Sequence, residues 1–387
     1  MERTSPVLNA ASINALGRIL KLIPAKILIG LAVVGVIAAI GFFAIKFRNP
    51  APQAGTVPTA AADENSILFC WWNVENLFDD HEDKRNSIDK EYDVPFAENE
   101  HLRNLKYDRI ATALMKMNDG KGPDVITLAE VESVRAADLL RATLNKKLDD
   151  AKADKKLQYK DVVMRNLDAG RHIAPAIISR VNVAPALTKM HGNRLRILEG
   201  HLYVNGHDLC IIASHWTSQL KQRDGSDGDA GRDKYANSIY EVFRAAAKKN
   251  PDCDFLVCGD FNDTPDALPV VKNLGAIGDK EKVKSTVEEP YFLDLLTGKE
   301  ASKFGTIFYN GKPLIYDHIC VSRGLLDDKG WSADPDSVHT ETAGLIRKGA
   351  TRREPWRFGN PGHEMKDDDR GFSDHFPVTV RLKVAPP

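Results

Sequence analysis

The chain has 387 residues, of which 43 % are hydrophobic and 28 % charged, with a formal net charge of −1. That length fits one large domain or two modest ones, and the composition is that of a chain with a packed core. Of 53 basic and 54 acidic residues, the first 62 positions hold six basic and one acidic, which leaves 47 basic against 53 acidic for the rest. An acidic remainder argues against a protein that tracks long nucleic acid on a broad basic surface, yet it permits a cationic site for one or two phosphates.

The chain begins with a basic segment, residues 1–26. Ile27 to Ile45, ILIGLAVVGVIAAIGFFAI, carries no charge over nineteen residues. As a helix it spans about 28 Å, close to the hydrocarbon thickness of a bilayer. It shows no polar face, and it is long for the apolar region of a cleaved signal peptide. The reading is a single-pass signal-anchor at 27–45. A buried core helix and a signal peptide cut near Ala60 to Ala62 are the alternatives. Four basic residues precede the span and Lys46 and Arg48 follow it. This bias favours a cytoplasmic N-terminus and a periplasmic or other extracytoplasmic location for the domain that follows. Residues 46–65 read as a linker, rich in Pro, Ala and small polar residues from 49 onward. Residues 66–387 form the remaining domain.

Ser66 to Trp72 reads as a strand. Leu102 to Met117 has helical spacing through Leu105, Ile110, Leu114 and Met117. A strand at Val125 to Leu128 and a helix near Arg135 to Leu148 follow. Further strands are expected at Tyr159 to Met164, Ile173 to Ser179, Leu195 to Val204 and Asp208 to Ala213. Asn205-Gly206 marks a hairpin between the last two. Asp224 to Asp233, DGSDGDAGRD, reads as a mobile surface loop, with a calcium loop as the alternative. Lys234 to Lys248 is a helix with Tyr235, Ile239, Val242 and Phe243 on one side. Phe255 to Cys258, Leu314 to Val321 and Pro377 to Leu382 complete the strands. Many strands and few helices predict an α/β fold of two packed, mainly antiparallel sheets flanked by helices. The five cysteines, Cys70, Cys210, Cys253, Cys258 and Cys320, show no zinc-binding spacing and read as buried thiols.

Polar clusters ride on the ends of the apolar runs. Asn73 and Glu75 follow ILFCWW, Glu130 ends VITLA, and His215 follows CIIAS. Asp260, Asn262 and Asp263 follow FLVCG, Asp317 and His318 follow LIY, and Asp374 and His375 precede FPVTV. Each cluster alone reads as a turn, an exposed acid or a hydrogen-bonded core histidine. Together they are costly to bury unless they bind a metal or one another. Asn73 and Glu75 alternate, as do Asp260 and Asn262, so on straight strands each pair shares a face. Asp263 reads as a turn residue. Ser373-Asp374-His375 looks like part of a nucleophilic triad, but no G-x-S-x-G elbow accompanies it, so Ser373 reads as a turn residue. A carboxylate beside a histidine also suits metal-assisted activation of water. Hard oxygen donors favour Mg²⁺, with Mn²⁺ or Ca²⁺ as alternatives, over zinc.

The order NVENLFD, LAEVE, SHW, GDFND, YDHI and SDHFPV resembles the endonuclease/exonuclease/phosphatase superfamily, in its bacterial nuclease-like branch, over about residues 66 to 383. The resemblance implies the deoxyribonuclease-I-like four-layer α/β-sandwich and hydrolysis of a phosphodiester. It implies metal and phosphate contacts for Asn73 and Glu75, the principal Mg²⁺ ligand at Glu130, and a phosphate-binding histidine at His215. It implies that Asp260 and Asn262 orient the nucleophile, Asp317 aligns the base, Asp374 binds metal and His375 is the general base. Two departures stand out. The family's R-G-I-D becomes Arg171-His172-Ile173-Ala174, which leaves Arg171 as a phosphate contact or a solvated loop residue. No lysine directly follows His215-Trp216-Thr217-Ser218, where Lys221 is a candidate substitute. The expected partner is nucleic acid or another phosphodiester, with the membrane engaged through 27–45 and no protein partner evident. A phospholipid-headgroup phosphodiesterase or phosphatase, sphingomyelinase-like, is the alternative enzyme. A catalytically silent tethered binding module is the alternative of another class.

Overall fold

The computed structural model describes residues 66–84, 87–168, 170–220 and 228–387. The expected anchor at 27–45, the linker and Lys221 lie outside them. Among the described residues no helix is long and apolar enough to cross a membrane.

Strand β1 (Ser66–Leu77) is followed by α1 (Ser87–Glu98) and α2 (Glu100–Met115). Then come β2 (Val125–Val131), α3 (Val134–Asp150), β3 (Asp161–Val163), β4 (Ala174–Ser179), β5 (Lys189–Met190), β6 (Ile197–Val204) and β7 (His207–His215). Helix α4 (Asp229–Lys249) leads into β8 (Phe255–Asp260), β9 (Ala276–Ile277), α5 (Lys280–Ser285) and β10 (Phe292–Asp294). The chain ends through α6 (Ala301–Phe304), β11 (Ile307–Tyr309), β12 (Lys312–Leu314), β13 (Asp317–Val321), β14 (Trp331–Thr340) and β15 (Val378–Val384).

Two mixed sheets result. One has the order β14-β15-β1-β2-β4-β3 and the other β5-β6-β7-β8-β13-β10-β9. Most neighbours are antiparallel; β1–β2, β7–β8 and β9–β10 are the parallel pairs. Alternation along each strand builds the layers. From β1, Phe69 and Trp71 face the other sheet and meet Leu198, Ile211, Leu256 and Ile319. Cys70 and Trp72 point the opposite way, onto Ile110 and Leu114 of α2 and Leu140 and Leu144 of α3. The far face of the second sheet packs Ile212, Val257 and Cys320 against Tyr235, Ile239 and Phe243 of α4. Helices therefore cover both outer faces, and the apolar seam between the sheets is the central core.

Local signals fix the helix starts. Asn99 accepts from the Leu102 N–H and Ser133 accepts from the Ala136 N–H, each satisfying an orphan donor of a first turn. Helix α4 begins at Asp229, so the Asp224 to Asp233 segment expected to be loop is helical over its last five residues. Gly228 precedes it at φ 81°, a left-handed backbone that glycine adopts without a Cβ clash. The run expected as one strand from Leu314 is two, β12 and β13. Strand β14 was not foreseen, because its Asp334-Pro335-Asp336 breaks the apolar pattern; its pairing register shifts across that stretch.

Candidate active site

The functional side chains collect where β1, β2, β7 and β8 end and β13 begins. Parallel pairing sets His215 opposite Asp260, and antiparallel pairing sets Asp317 opposite Asp260. Three strands thereby deliver three polar groups to one level. Gly259 lets β7 and β8 approach there, since a Cβ at this position would lie 2.5 Å from the Ser214 carbonyl oxygen. A cavity of about 810 Å³ opens above. Asn73, Glu130, Arg171, His215, Asp260, Asn262, Asp374 and His375 all line it.

Asp260 is the hub. Its Oδ2 accepts from Asn73 Nδ2 at 3.0 Å and lies 3.6 Å from His215 Nε2 and 3.7 Å from His375 Nε2. Its Oδ1 accepts from the Asn262 backbone N–H at 2.9 Å. Asn262 itself has φ 52° and donates from Nδ2 to the Trp216 carbonyl at 3.2 Å. This short-range turn is one that asparagine tolerates.

Behind the cavity floor, Asp317 is fully buried. Its Oδ1 accepts from Trp71 Nε1 at 2.8 Å and its Oδ2 pairs with His375 Nδ1 at 2.6 Å. An ionised carboxylate only accepts, so Nδ1 carries the proton and Nε2 faces the cavity. Burial opposes charge on His375, but Asp317, Asp260 and Asp374 together hold the imidazole well above its ordinary range. Burial likewise pushes the Asp260 carboxyl up to about 7, against the pull of His375. Ser373 donates to the Asn73 carbonyl at 2.6 Å and accepts from the His375 N–H at 3.1 Å, clamping the loop before β15 onto β1.

His215 is held in the other state. Arg196 Nη1 lies 3.2 Å from His215 Nδ1. A guanidinium only donates, so Nδ1 is the lone pair and Nε2 carries the proton. Burial, then the positive charges of Arg196, His375 and Arg171, keep this imidazole well below its usual range. His215 thus presents a neutral N–H donor, 3.9 Å from Glu130 Oε1 and 3.6 Å from Asp260 Oδ2.

The alternation expected of Asn73 and Glu75 does not persist. Glu75 and Asn76 have φ 52° and 60°, and the β1–β2 register shifts between Asn73 and Leu77. Glu75 therefore turns behind the cavity. Its Oε1 accepts from Arg357 Nε at 2.9 Å and its Oε2 from the Phe358 N–H at 2.8 Å. Burial and the neighbouring Asp374 raise its carboxyl, while Lys106 and Arg357 lower it. Arg357 also reaches Asp374 at 3.3 Å. Lys106 is buried on α2, donates to the Phe372 carbonyl at 2.8 Å, and is driven by burial down to about 8. Glu130 has φ 62°; Asn76 N–H binds its Oε2 at 3.0 Å, and its Oε1 faces His215. Such left-handed non-glycine residues concentrate at functional sites.

Arg171 lines the cavity while donating to Asp89 on α1 at 2.9 Å and to Asn76. Asp263 lies off the site, with Oδ2 accepting from Arg232 of α4 at 3.0 Å. His318 is a core residue, bonded to Asp294 at 2.9 Å and stacked on Phe261. Arg196 and Arg357 were not singled out in the sequence. Both come from segments without an apolar-run-plus-polar-end signature, and only the tertiary fold brings them to His215 and Glu75.

A divalent cation fits the donor set. Glu130 Oε1, the Asp374 carboxylate and the Asn73 and Asp260 oxygens are hard ligands around one cavity.

Two mixed sheets with an Asp–His pair facing a second aspartate at their shared end have the build of a phosphoester hydrolase. The sequence model of the Endonuclease/Exonuclease/phosphatase family matches residues 68–384, and the chain belongs to that family. Its structure is similar to truncated TDP2 from Caenorhabditis elegans, at 14 % identity and TM-score 0.46, over 83 % of this chain and 98 % of that one. It is similar to a mannosyl-6-phosphatase from Bacteroides thetaiotaomicron, at 15 % identity and TM-score 0.47, over 82 % and 99 %. It is also similar to a Staphylococcus aureus beta toxin mutant with bound magnesium ions, at 16 % identity and TM-score 0.47, over 83 % and 100 %. No curated protein matches the chain.

Proposed function

We propose that the chain is a divalent-metal-dependent phosphodiester hydrolase, an endonuclease-like enzyme held at the membrane through residues 27–45 with its catalytic domain outside the cytoplasm. The observation that carries the chemistry is the ordered array Asp317–His375 facing Asp260, 3.7 Å from His375 Nε2 to Asp260 Oδ2, with the His215 N–H on the opposite side. Anchoring and location rest on the apolar span and its flanking charges alone.

In this reading Glu130 and Asp374 hold Mg²⁺, or Mn²⁺ or Ca²⁺, with Asn73 beside them. A cation held there would supply polarisation of the phosphoryl oxygen and charge for the leaving oxygen, and would offset the carboxylate field around His375. Glu75 acts one step back, fixing Arg357 against Asp374. Water lodged between His375 Nε2 and Asp260 Oδ2 is oriented by both. His375 takes its proton at Nε2 while Nδ1–H stays on Asp317. His215 donates its Nε2–H to a non-bridging phosphate oxygen. Asn262 and Asn73 hold Asp260 in place, and Arg171 offers charge at the cavity edge.

The substrate is tested by offering the full-length chain plasmid DNA, RNA, bis-p-nitrophenyl phosphate and phospholipid vesicles, each with Mg²⁺ or EDTA. Mg²⁺-dependent nicking of the plasmid supports the endonuclease-like reading. Headgroup release without nucleic-acid cleavage replaces it with the phospholipid reading. Inactivity on every substrate makes the chain a silent binding module.

A further inference from the structure

A second cleft lies away from the active site. It measures about 1020 Å³ and separates the C-terminal half of α4 from the outer face of the second sheet. On its floor the pleat brings together residues that sequence spacing keeps apart. Glu199 and His201 alternate on β6, so both face outward, and Cys210 of β7 is the cross-strand partner of His201. His191, just past β5, reaches the same spot. The ligand atoms of Glu199, His201 and Cys210 all lie within 4.8 Å of one another. His191 Nε2 is 2.6 Å from Glu199 Oε2, and His201 Nε2 is 3.2 Å from Glu199 Oε1.

We propose that His191, Glu199, His201 and Cys210 form a second metal site, selective for a borderline transition-metal ion such as Zn²⁺. Nitrogen, sulfur and one carboxylate suit zinc, and they disfavour the Mg²⁺ or Ca²⁺ expected of the oxygen-lined active site. Bonds of about 2.0–2.3 Å put tetrahedral ligand atoms within about 4 Å of each other, so small movements close Glu199, His201 and Cys210, and His191 enters from its contact with Glu199 Oε2. His201 is pre-oriented: its Nδ1 lies 2.9 Å from Asp208 Oδ1, leaving Nε2 for the metal. A carboxylate on the second nitrogen is the usual support of a metal-binding imidazole. The simpler account is a hydrogen-bonded charge cluster, in which Lys189 Nζ also binds Glu199 Oε1 at 2.8 Å. That account already bonds both imidazoles to Glu199 and the Cys210 thiol to His201, so the two differ in whether these groups give up their protons to a cation. The Lys189 side chain is 60 % exposed and can swing away when the proton-bearing groups yield to a cation.

The test is a Co²⁺ titration of the reduced full-length chain in saturating Mg²⁺. Cobalt stands in for zinc and reports a thiolate ligand by its sulfur-to-metal charge-transfer absorption. The expected result is a band that saturates at one equivalent and is bleached by Zn²⁺. It is lost in Cys210→Ser and kept in Cys253→Ser. Asp208→Asn, which spares every ligand, weakens Co²⁺ binding about 10- to 100-fold. Phosphodiester hydrolysis by Cys210→Ser stays at the wild-type rate. No cysteine lines the active-site cavity among the described residues, so the band reads this site independently of the catalytic assignment. The proposal fails if the wild-type chain shows no thiolate band, or if the band survives Cys210→Ser. It also fails if the unreduced chain carries a Cys210–Cys253 disulfide by mass spectrometry.

Discussion

Asp317→Asn changes one atom and reverses a proton. Trp71 Nε1–H points at Asp317 Oδ1 at 2.8 Å, and an indole can only donate. The asparagine must therefore keep its oxygen toward Trp71 and turn its amide N–H₂ toward His375, where Oδ2 now lies 2.6 Å from Nδ1. Two donors cannot face each other, so His375 gives up the Nδ1 proton and carries it on Nε2. That tautomer cannot accept a proton from water in the cavity. The same substitution in the serine-protease triad, which likewise imposes the wrong tautomer, lowers kcat about 10⁴-fold. A loss of about 10³ to 10⁴ in kcat is expected here, or about 4–5.5 kcal/mol of barrier. Hydrolysis of bis-p-nitrophenyl phosphate in Mg²⁺, compared at equal folded fraction by thermal melting, measures it. Raising the pH should not restore the rate, because the fault is a misplaced proton. A folded Asp317→Asn enzyme within three-fold of wild type would refute the reasoning, and recovery at high pH would reduce Asp317 to a charge effect.

His215→Ala should lower kcat about 10²- to 10³-fold, as removal of one preorganised donor does. Arg196→Met, which releases the His215 tautomer and the Trp216 carbonyl but keeps the His215 N–H donor, should cost less, and the reverse order in steady-state kinetics contradicts the roles. Arg357→Ala leaves Glu75 buried beside Asp374 with the Phe358 N–H as its remaining named donor. Stability should fall by about 1–3 kcal/mol in denaturant titration, and an unchanged midpoint would show that Arg357 is dispensable. Asp254 accepts from the Trp331 N–H, and its Oδ1 is buried without a hydrogen-bond partner among the described residues. Burial, with Asp327, Asp208 and Asp252 nearby, pushes this carboxyl up to about 7. A carboxyl raised on folding binds its proton more tightly in the native state. Its contribution is intact below the ordinary value near 4, declines between about 4 and 7, and stays unfavourable above. Asp254→Asn should stabilise the chain by about 1–2 kcal/mol at pH 8, after discounting for partial exposure, and by little at pH 4. A gain independent of pH would count against the assignment.

Much of the layered architecture was legible because buried strands write it directly. FLVCG and CIIAS have no polar alternation, and each is followed directly by the residue that reaches the site. Asp260 and His215 could be read from that pattern, since an acid or imidazole closing a buried run has few other uses. Glu75 was misplaced for a physical reason. The alternation rule assumes a continuous pleat, and the left-handed turn at Glu75–Asn76 interrupts it. Glu75 gives no sign of the turn, and Asn76, which tolerates the left-handed region, is only a weak one. Arg196 and Arg357 were invisible because their partners lie 19 and 282 positions away. The His191–Glu199–His201–Cys210 cluster escaped for a similar reason. Its spacing follows strand pairing, and no short motif encodes a cross-strand register. The short strands β9 to β12 carry two or three residues each, too few to show a period.

The most direct test is Mg²⁺ dependence at one named carboxylate. Hydrolysis of bis-p-nitrophenyl phosphate by the full-length chain is followed against Mg²⁺ concentration, for wild type and Glu130→Gln, with EDTA as the zero point. Wild type should fall silent in EDTA and recover with Mg²⁺, whereas Glu130→Gln should need far more metal or stay inactive. Turnover that persists in EDTA, or matching curves for the two proteins, would mean that the cavity does not work through a cation held by Glu130.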